Sequence, residues 1–153
     1  MTQLTYNLYM TEKHIGLISD ARPHLVETKA SEGTILFGYA LVEGTDPLIQ
    51  VKIPAATGKA FRGISVSTWA KEQDALGDGK YTDKEAVNVL RRGEIWVLVN
   101  DNVAIDDPAY FVYTGADAGK FRNDATDADA VPTGVFKNSA NSGELALIEI
   151  NLP

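Results

Sequence analysis

Apolar residues in this chain fall at alternate positions in short runs, and turn residues cut the runs about every ten positions, as in sandwiches and small barrels. The sequence "TILFGYALVEG", residues 34–44, places Ile35, Phe37, Tyr39 and Leu41 on one face and Leu36, Gly38, Ala40 and Val42 on the other. Both faces are apolar, which predicts a strand covered on both sides. "GTDP" then reads as a turn. Residues 48–53 and 61–67 alternate as strands, with Gly63 marking a bulge or a close backbone approach. Residues 110–114, 134–139 and 145–153 add further strands, the last with Ala146, Ile148, Ile150 and Leu152 on one face.

Residues 82–91 carry conflicting signals. Thr82 and Glu85 have the spacing of a helix capping box. Val87, Val89 and Arg91 alternate with Asn88 and Leu90, and Val and Asn are weak helix formers, so the strand reading is preferred. Gly93 then punctuates, and residues 94–100 follow as a central strand with Trp96 in the core. About eight short strands without a long helix predict an all-β fold, either a jelly-roll-like sandwich or a small β-barrel. An extended N-terminal arm or loop (1–33), with short strand pieces between residues 14 and 33, packs on the body, and residues 34–153 form a single β domain with long polar loops.

The net charge is −7, and the excess is local: residues 101–130 hold seven acids against Lys120 and Arg122. Such runs are usually solvated loops. A nucleic-acid binder needs a basic footprint, and none shows. The same argument speaks against direct binding to anionic membrane. The N-terminus lacks the basic and apolar regions of a signal peptide. "ILFGYALV" is about half the length that spans a bilayer. Synthesis in the cytoplasm is therefore expected.

Candidate chemistry is sparse. The absence of cysteine removes thiolate catalysis and zinc-thiolate sites. His14 and His24 lie ten residues apart without a metal-binding spacing. "DALGDGKYTDKE" fails the EF-hand pattern, and "DATDADA" offers at most weak cation binding. Nucleophile elbow, Walker loop and dinucleotide fingerprint are all missing. No cofactor is expected, and no constellation meets the requirements of an enzyme site. Trp69, in a polar stretch, reads either as an exposed binding anchor or as a cover over a barrel mouth.

The order "IGLISDARP", "VETKASEGTILFGYALVEGTDP", "FRGISVST", "YTDKEAVNVLRRGEIWVLV", "FVYTGADAGKF" and "GELALIEINLP" resembles the structural cement proteins of tailed bacteriophages, a family of capsid decoration proteins. The resemblance spans residues 15–152 and lies in strand and turn residues. It implies a jelly-roll or barrel-like protein on the outer surface of the virion capsid. The implied partner is the major capsid protein, with self-association as a dimer or trimer and with no catalytic residues. The expected contact residues are Asp20, Arg22, Pro23, His24 and Glu27 of the arm, followed by Trp69, with Arg22 suited to a bidentate grip on a capsid carboxylate. The other role open to the arm is to cover one end of the body or to pair protomers. The alternative reading is a β-sandwich binding module for carbohydrate or a host surface; a small glycosidase is a third.

Overall fold

One strand organises the molecule. In the computed structural model, which describes residues 13–19, 22–68, 79–126, 128 and 132–153, Ala86–Leu98 form a continuous 13-residue strand, β7. The other strands are β1 (Leu25–Ser31), β2 (Ile35–Leu36), β3 (Ala40–Glu43), β4 (Gln50–Lys52), β5 (Phe61–Ser65), β6 (Lys80–Tyr81), β8 (Pro108–Phe111), β9 (Phe121–Arg122), β10 (Gly134–Phe136) and β11 (Leu145–Asn151). No helix occurs among the described residues, so the fold is all-β as the alternation predicts.

The first half of β7 closes a small barrel. β1 pairs with β4, β4 with β3, β3 with β5 and β5 with β7, and β1 then pairs with β7 from Leu25↔Arg92 to Ala30↔Ala86. Closure leaves little free sheet edge in this set, although β4 meets only Ala30 and Ser31 of β1. Leu41, Val51, Val87 and Val89 fill the inside, capped by Ile35, Phe37 and Tyr81. The second half of β7 pairs with β11, from Leu145↔Leu98 to Asn151↔Arg92. From β11 the sheet continues through β10 and β8 to β9. Val99 meets Phe121 in a parallel bridge, which returns β9 to the end of β7. A larger core lies between these strands and the outer face of β3 and β5. It holds Val42, Ile64, Ile95, Val97, Phe136 and Ile148, and Phe61 stacks on Phe111 at 5.4 Å. Each fully buried side chain of this size contributes about 1.5–3 kcal/mol.

The structure corrects several local expectations. "ILFGYALV" is not one strand: the chain turns at Phe37 and Gly38, between β2 and β3. The buried Ser65 hydroxyl donates to the Leu36 carbonyl at 2.6 Å and accepts from the Tyr39 amide at 3.1 Å, while the Gly38 amide bonds the Ser65 carbonyl at 2.8 Å. The two predicted faces nevertheless diverge, with Ile35, Phe37 and Leu41 in the barrel and Ala40 and Val42 in the larger core. Thr82 and Glu85 make half a capping box, the Glu85 carboxylate accepting from the Thr82 amide at 2.6 Å. The strand starts immediately afterwards, because Ser31 takes the Glu85 amide at 3.0 Å.

Gly93 does not break the strand. Residues 22–24 pass over β7 there, and a Cβ at Gly93 would lie 2.9 Å from the His24 Cβ. Trp96 is half-buried rather than in the core, with the Lys13 ammonium 5.4 Å from its ring. Leu25–Ser31, within the segment read from sequence as an arm or loop with short strand pieces, form β1 of the main sheet.

Candidate docking surface

Three surface regions draw on the residues singled out by sequence. The first lies where the chain crosses β7. Residues 16–19 run beside β7, with the Ser19 amide on the Glu94 carbonyl at 3.1 Å and Ile18 bridged to Ile95. Arg22, Pro23 and His24 then border an open cleft of about 530 Å³, with Ile18, Arg92 and Glu149 on its other walls. The Arg22 guanidinium meets the Glu94 carboxylate at 2.6 Å, and the Ser19 hydroxyl adds a bond at 3.2 Å. Glu94 is 8% exposed and Arg22 64%. A carboxylate that deep requires a partner, so Arg22 serves the fold while one side of it still faces solvent. His24 Nδ1 lies 3.1 Å from the Arg22 carbonyl, and His14 Nε2 lies 3.1 Å from the Ser67 hydroxyl, so the two histidines have separate partners. Glu27 sits on β1, paired with Arg91 at 3.0 Å; Arg91 also donates to the Pro153 carbonyl at 2.8 Å. Asp20 and Trp69 lie outside the described residues.

The second region was not recognised from sequence as a surface. Pro47 and Asp46 hold a turn in which the Leu48 amide bonds Asp46 Oδ1 at 3.0 Å and the Gln50 amide bonds the Asp46 carbonyl at 2.9 Å. The turn projects Leu48 and Ile49, which are 76% and 53% exposed. Beside them runs a shallow groove of about 350 Å³, lined by Thr28, Lys29, Ala30, Lys84 and Ala86. The sequence signal was the Asp-Pro turn, which extends two residues beyond the proline before β4 begins.

The third region is the acidic run, in which four of the described carboxylates have local partners. Arg122 bridges Asp101 at 3.0 Å and Asp124 at 2.7 Å, Lys120 holds Asp117 at 2.7 Å, and Asn123 donates to Asp107 at 2.8 Å. Among the described residues, no three His, Asp or Glu side chains converge closely enough to hold a metal ion. Three carboxylates sit below their ordinary range: Asp107 through the Asn123 hydrogen bond, Asp117 through the Lys120 hydrogen bond and Asp124 through the Thr126 amide. A carboxylate lowered in the native state stabilises the fold fully above its unfolded value and loses that contribution as pH falls through the native value. The thermal midpoint should therefore stay level from pH 8 to about 5 and decline progressively below about pH 4. A melting series from pH 8 to 2.5 tests this; a midpoint that stays level to pH 3 contradicts it.

Comparison with known proteins gives three findings. The sequence profile of the family described as "Structural cement protein (E217 gp24/Pam3 gp6)" matches residues 2–151. Among curated proteins, none matches. Among solved structures, a chain from the capsid of Myoviridae phage XM1 superposes with a TM-score of 0.74 at 22% identity, covering 97% of this chain and 98% of that one. The head fibre gp8.5 N base of bacteriophage phi29 gives a TM-score of 0.48 at 13% identity, over 84% and 95% of the two chains. The likeness to the XM1 chain is one of fold.

Proposed function

Since the chain belongs to the structural cement protein family and has a phage head cement or decoration role, we propose that it performs that role by binding the outside of the major capsid protein shell and bracing it against the pressure of packaged DNA. The family match across nearly the whole chain is the observation that carries this reading.

The physics of such a brace is simple. A shell fails where subunits separate, so a rigid body that buries surface on two subunits adds its binding free energy to each junction. A contact of standard size, about 800 Å² per partner, binds tightly when it contains a few good anchors. Copies joined as a dimer or trimer raise the effective concentration further. The net charge of −7 supports a protein rather than a nucleic-acid partner. The role is structural, with no catalytic step in it. In this reading the protein is made in the host bacterial cytoplasm and joins the outer surface of the capsid.

For the shell-facing surface we favour one end of β1 and the crossing before it. Arg22, Pro23 and His24 border the cleft, Glu27 follows on β1, and Leu25 and Val26 between them are exposed. Asp20 and Trp69 remain part of this proposal on sequence grounds.

The test uses heads assembled without this protein. Purified full-length chain should co-sediment with them saturably and raise the temperature at which they release DNA. Absence of binding to its own phage's heads, under conditions where the chain is folded, overturns the reading.

A further inference from the structure

We propose that β1 and the Leu48–Ile49 turn form a seat for an extended segment of the major capsid protein, one that presents apolar side chains and a carboxylate. This rests on the cement reading above and names the partner's local chemistry.

The first support is an open strand edge. β1 pairs with β7 along six residues on one side, from Leu25 to Ala30. On its other side only Ala30 and Ser31 meet β4. The Ala30 amide points to that side, where it bonds the Ile49 carbonyl at 2.8 Å. In a ladder, alternate residues point the same way. The main-chain groups of Thr28 and Val26 therefore face outward, toward the space β4 leaves vacant. Both residues are exposed. An unprotected edge of this kind is a template for another strand.

The second support is the shape and charge at the end of that edge. The Leu48–Ile49 turn stands where a strand added to β1 would begin. Lys29 ties it down by donating to the Leu48 carbonyl at 2.5 Å, and Asp46 caps it from within. The two apolar side chains are thus held out by a fixed turn. The groove floor is small, with Thr28, Ala30 and Ala86, and its charged lining is Lys29 and Lys84 without any carboxylate. The acids of the adjoining turns are engaged on local amides: Asp83 takes the Gly33 amide at 2.8 Å and Glu85 the Thr82 amide at 2.6 Å. A chain with net charge −7 thus presents a locally cationic, apolar groove beside backbone that no other described strand pairs. An extended segment supplies backbone partners, alternate side chains to fill the groove, and a carboxylate for the lysines. A second copy meeting this groove about a two-fold axis would bring four lysines together, which like-charge repulsion opposes.

The experiment measures binding of the full-length chain to heads lacking it, beside melting curves and sedimentation of each variant alone. Leu48→Asp with Ile49→Asp changes only side chains that already face solvent. The apparent Kd for heads should rise at least about 100-fold, as for loss of paired hot-spot anchors, with the melting midpoint unchanged. Thr28→Pro removes one outward amide at a strand edge, where proline is tolerated; it should weaken binding at least about tenfold. Lys29→Glu with Lys84→Glu should weaken binding and reverse its salt dependence. If the wild type binds heads and the folded Leu48/Ile49 and Thr28 variants bind equally well, the seat is overturned while the cement reading stands. If the wild type self-associates and the Leu48/Ile49 variant becomes monomeric yet still binds heads, the seat takes a second copy and the proposal is overturned. If the folded wild type does not bind heads, the cement reading falls and the seat falls with it.

Discussion

Gly63→Val should destabilise the protein by about 4 kcal/mol or more, lowering the melting midpoint by roughly 10 °C or more for a chain of this size. Two effects act together. Gly63 holds φ +139, a backbone region that side-chain-bearing residues rarely enter, at a cost of about 1–3 kcal/mol. A Cβ there would also lie 2.3 Å from the Leu90 carbonyl oxygen and 2.6 Å from Val89 Cγ1. The carbonyl belongs to β7 itself, so relief requires β5 to move away from β7 and lose the Ile64↔Leu90 and Ser65↔Val89 pairings. The neighbouring register shift at Leu41/Val42 shows that this corner already needs irregular backbone. Scanning calorimetry on the variant decides the matter. A midpoint within about 3 °C of wild type, which corresponds to about 1 kcal/mol here, means the close approach is not what the glycine serves.

Phe37→Ala should cost about 3–5 kcal/mol, the usual range for emptying a buried aromatic site. Phe37 is fully buried in the smaller core and meets Tyr81 edge-on with ring centroids 5.2 Å apart. Its ring lies where a Cβ on Gly79 would be, 2.1 Å from that position, so the glycine leaves the space the ring fills. Tyr81 is pinned by its hydroxyl on the Val66 carbonyl at 2.6 Å and is poorly placed to collapse into the void. Phe37→Leu keeps most of the volume and should lose less than half as much. Urea unfolding with unchanged slope and a lowered midpoint is the expected signature. Equal losses for Ala and Leu would show that ring geometry, rather than filled volume, holds this end of the barrel.

Both positions show which parts of the fold the sequence makes readable. Strands with one buried face were legible from side-chain period alone, as with Ala146, Ile148 and Ile150 of β11. The close approach at Gly63 was legible too, because a glycine inside an alternating run has few other uses. The turn at Phe37 and Gly38 was not. Its cause is the Ser65 hydroxyl, which is remote in sequence and reorganises the backbone by hydrogen bonding. Gly93 misled for a related reason: a glycine that ends a strand and one that lets another segment cross it look identical in one dimension. β1 carried only a weak signal, since "LVETKAS" is largely polar and becomes a strand by pairing with β7.

The candidate docking surface divides in the same way. Arg22, Pro23 and His24 do gather around one cleft. The Arg22–Glu94 pair was hidden because its members lie on separate segments of chain. Leu48 and Ile49 resembled the first residues of a strand, and only the turn around Asp46 shows that they project.

The sharing of β7 between two sets of strands governs how the chain must come together during synthesis. β1 leaves the ribosome about sixty residues before the partner that completes its barrel, and the far half of that partner waits again for β11. Such distant pairings make folding slow, in the range of milliseconds to seconds. Until residue 145 emerges, the second half of β7 lacks its β11 partner, and Ile95 and Val97 stand along an unfinished edge that invites association between incomplete chains.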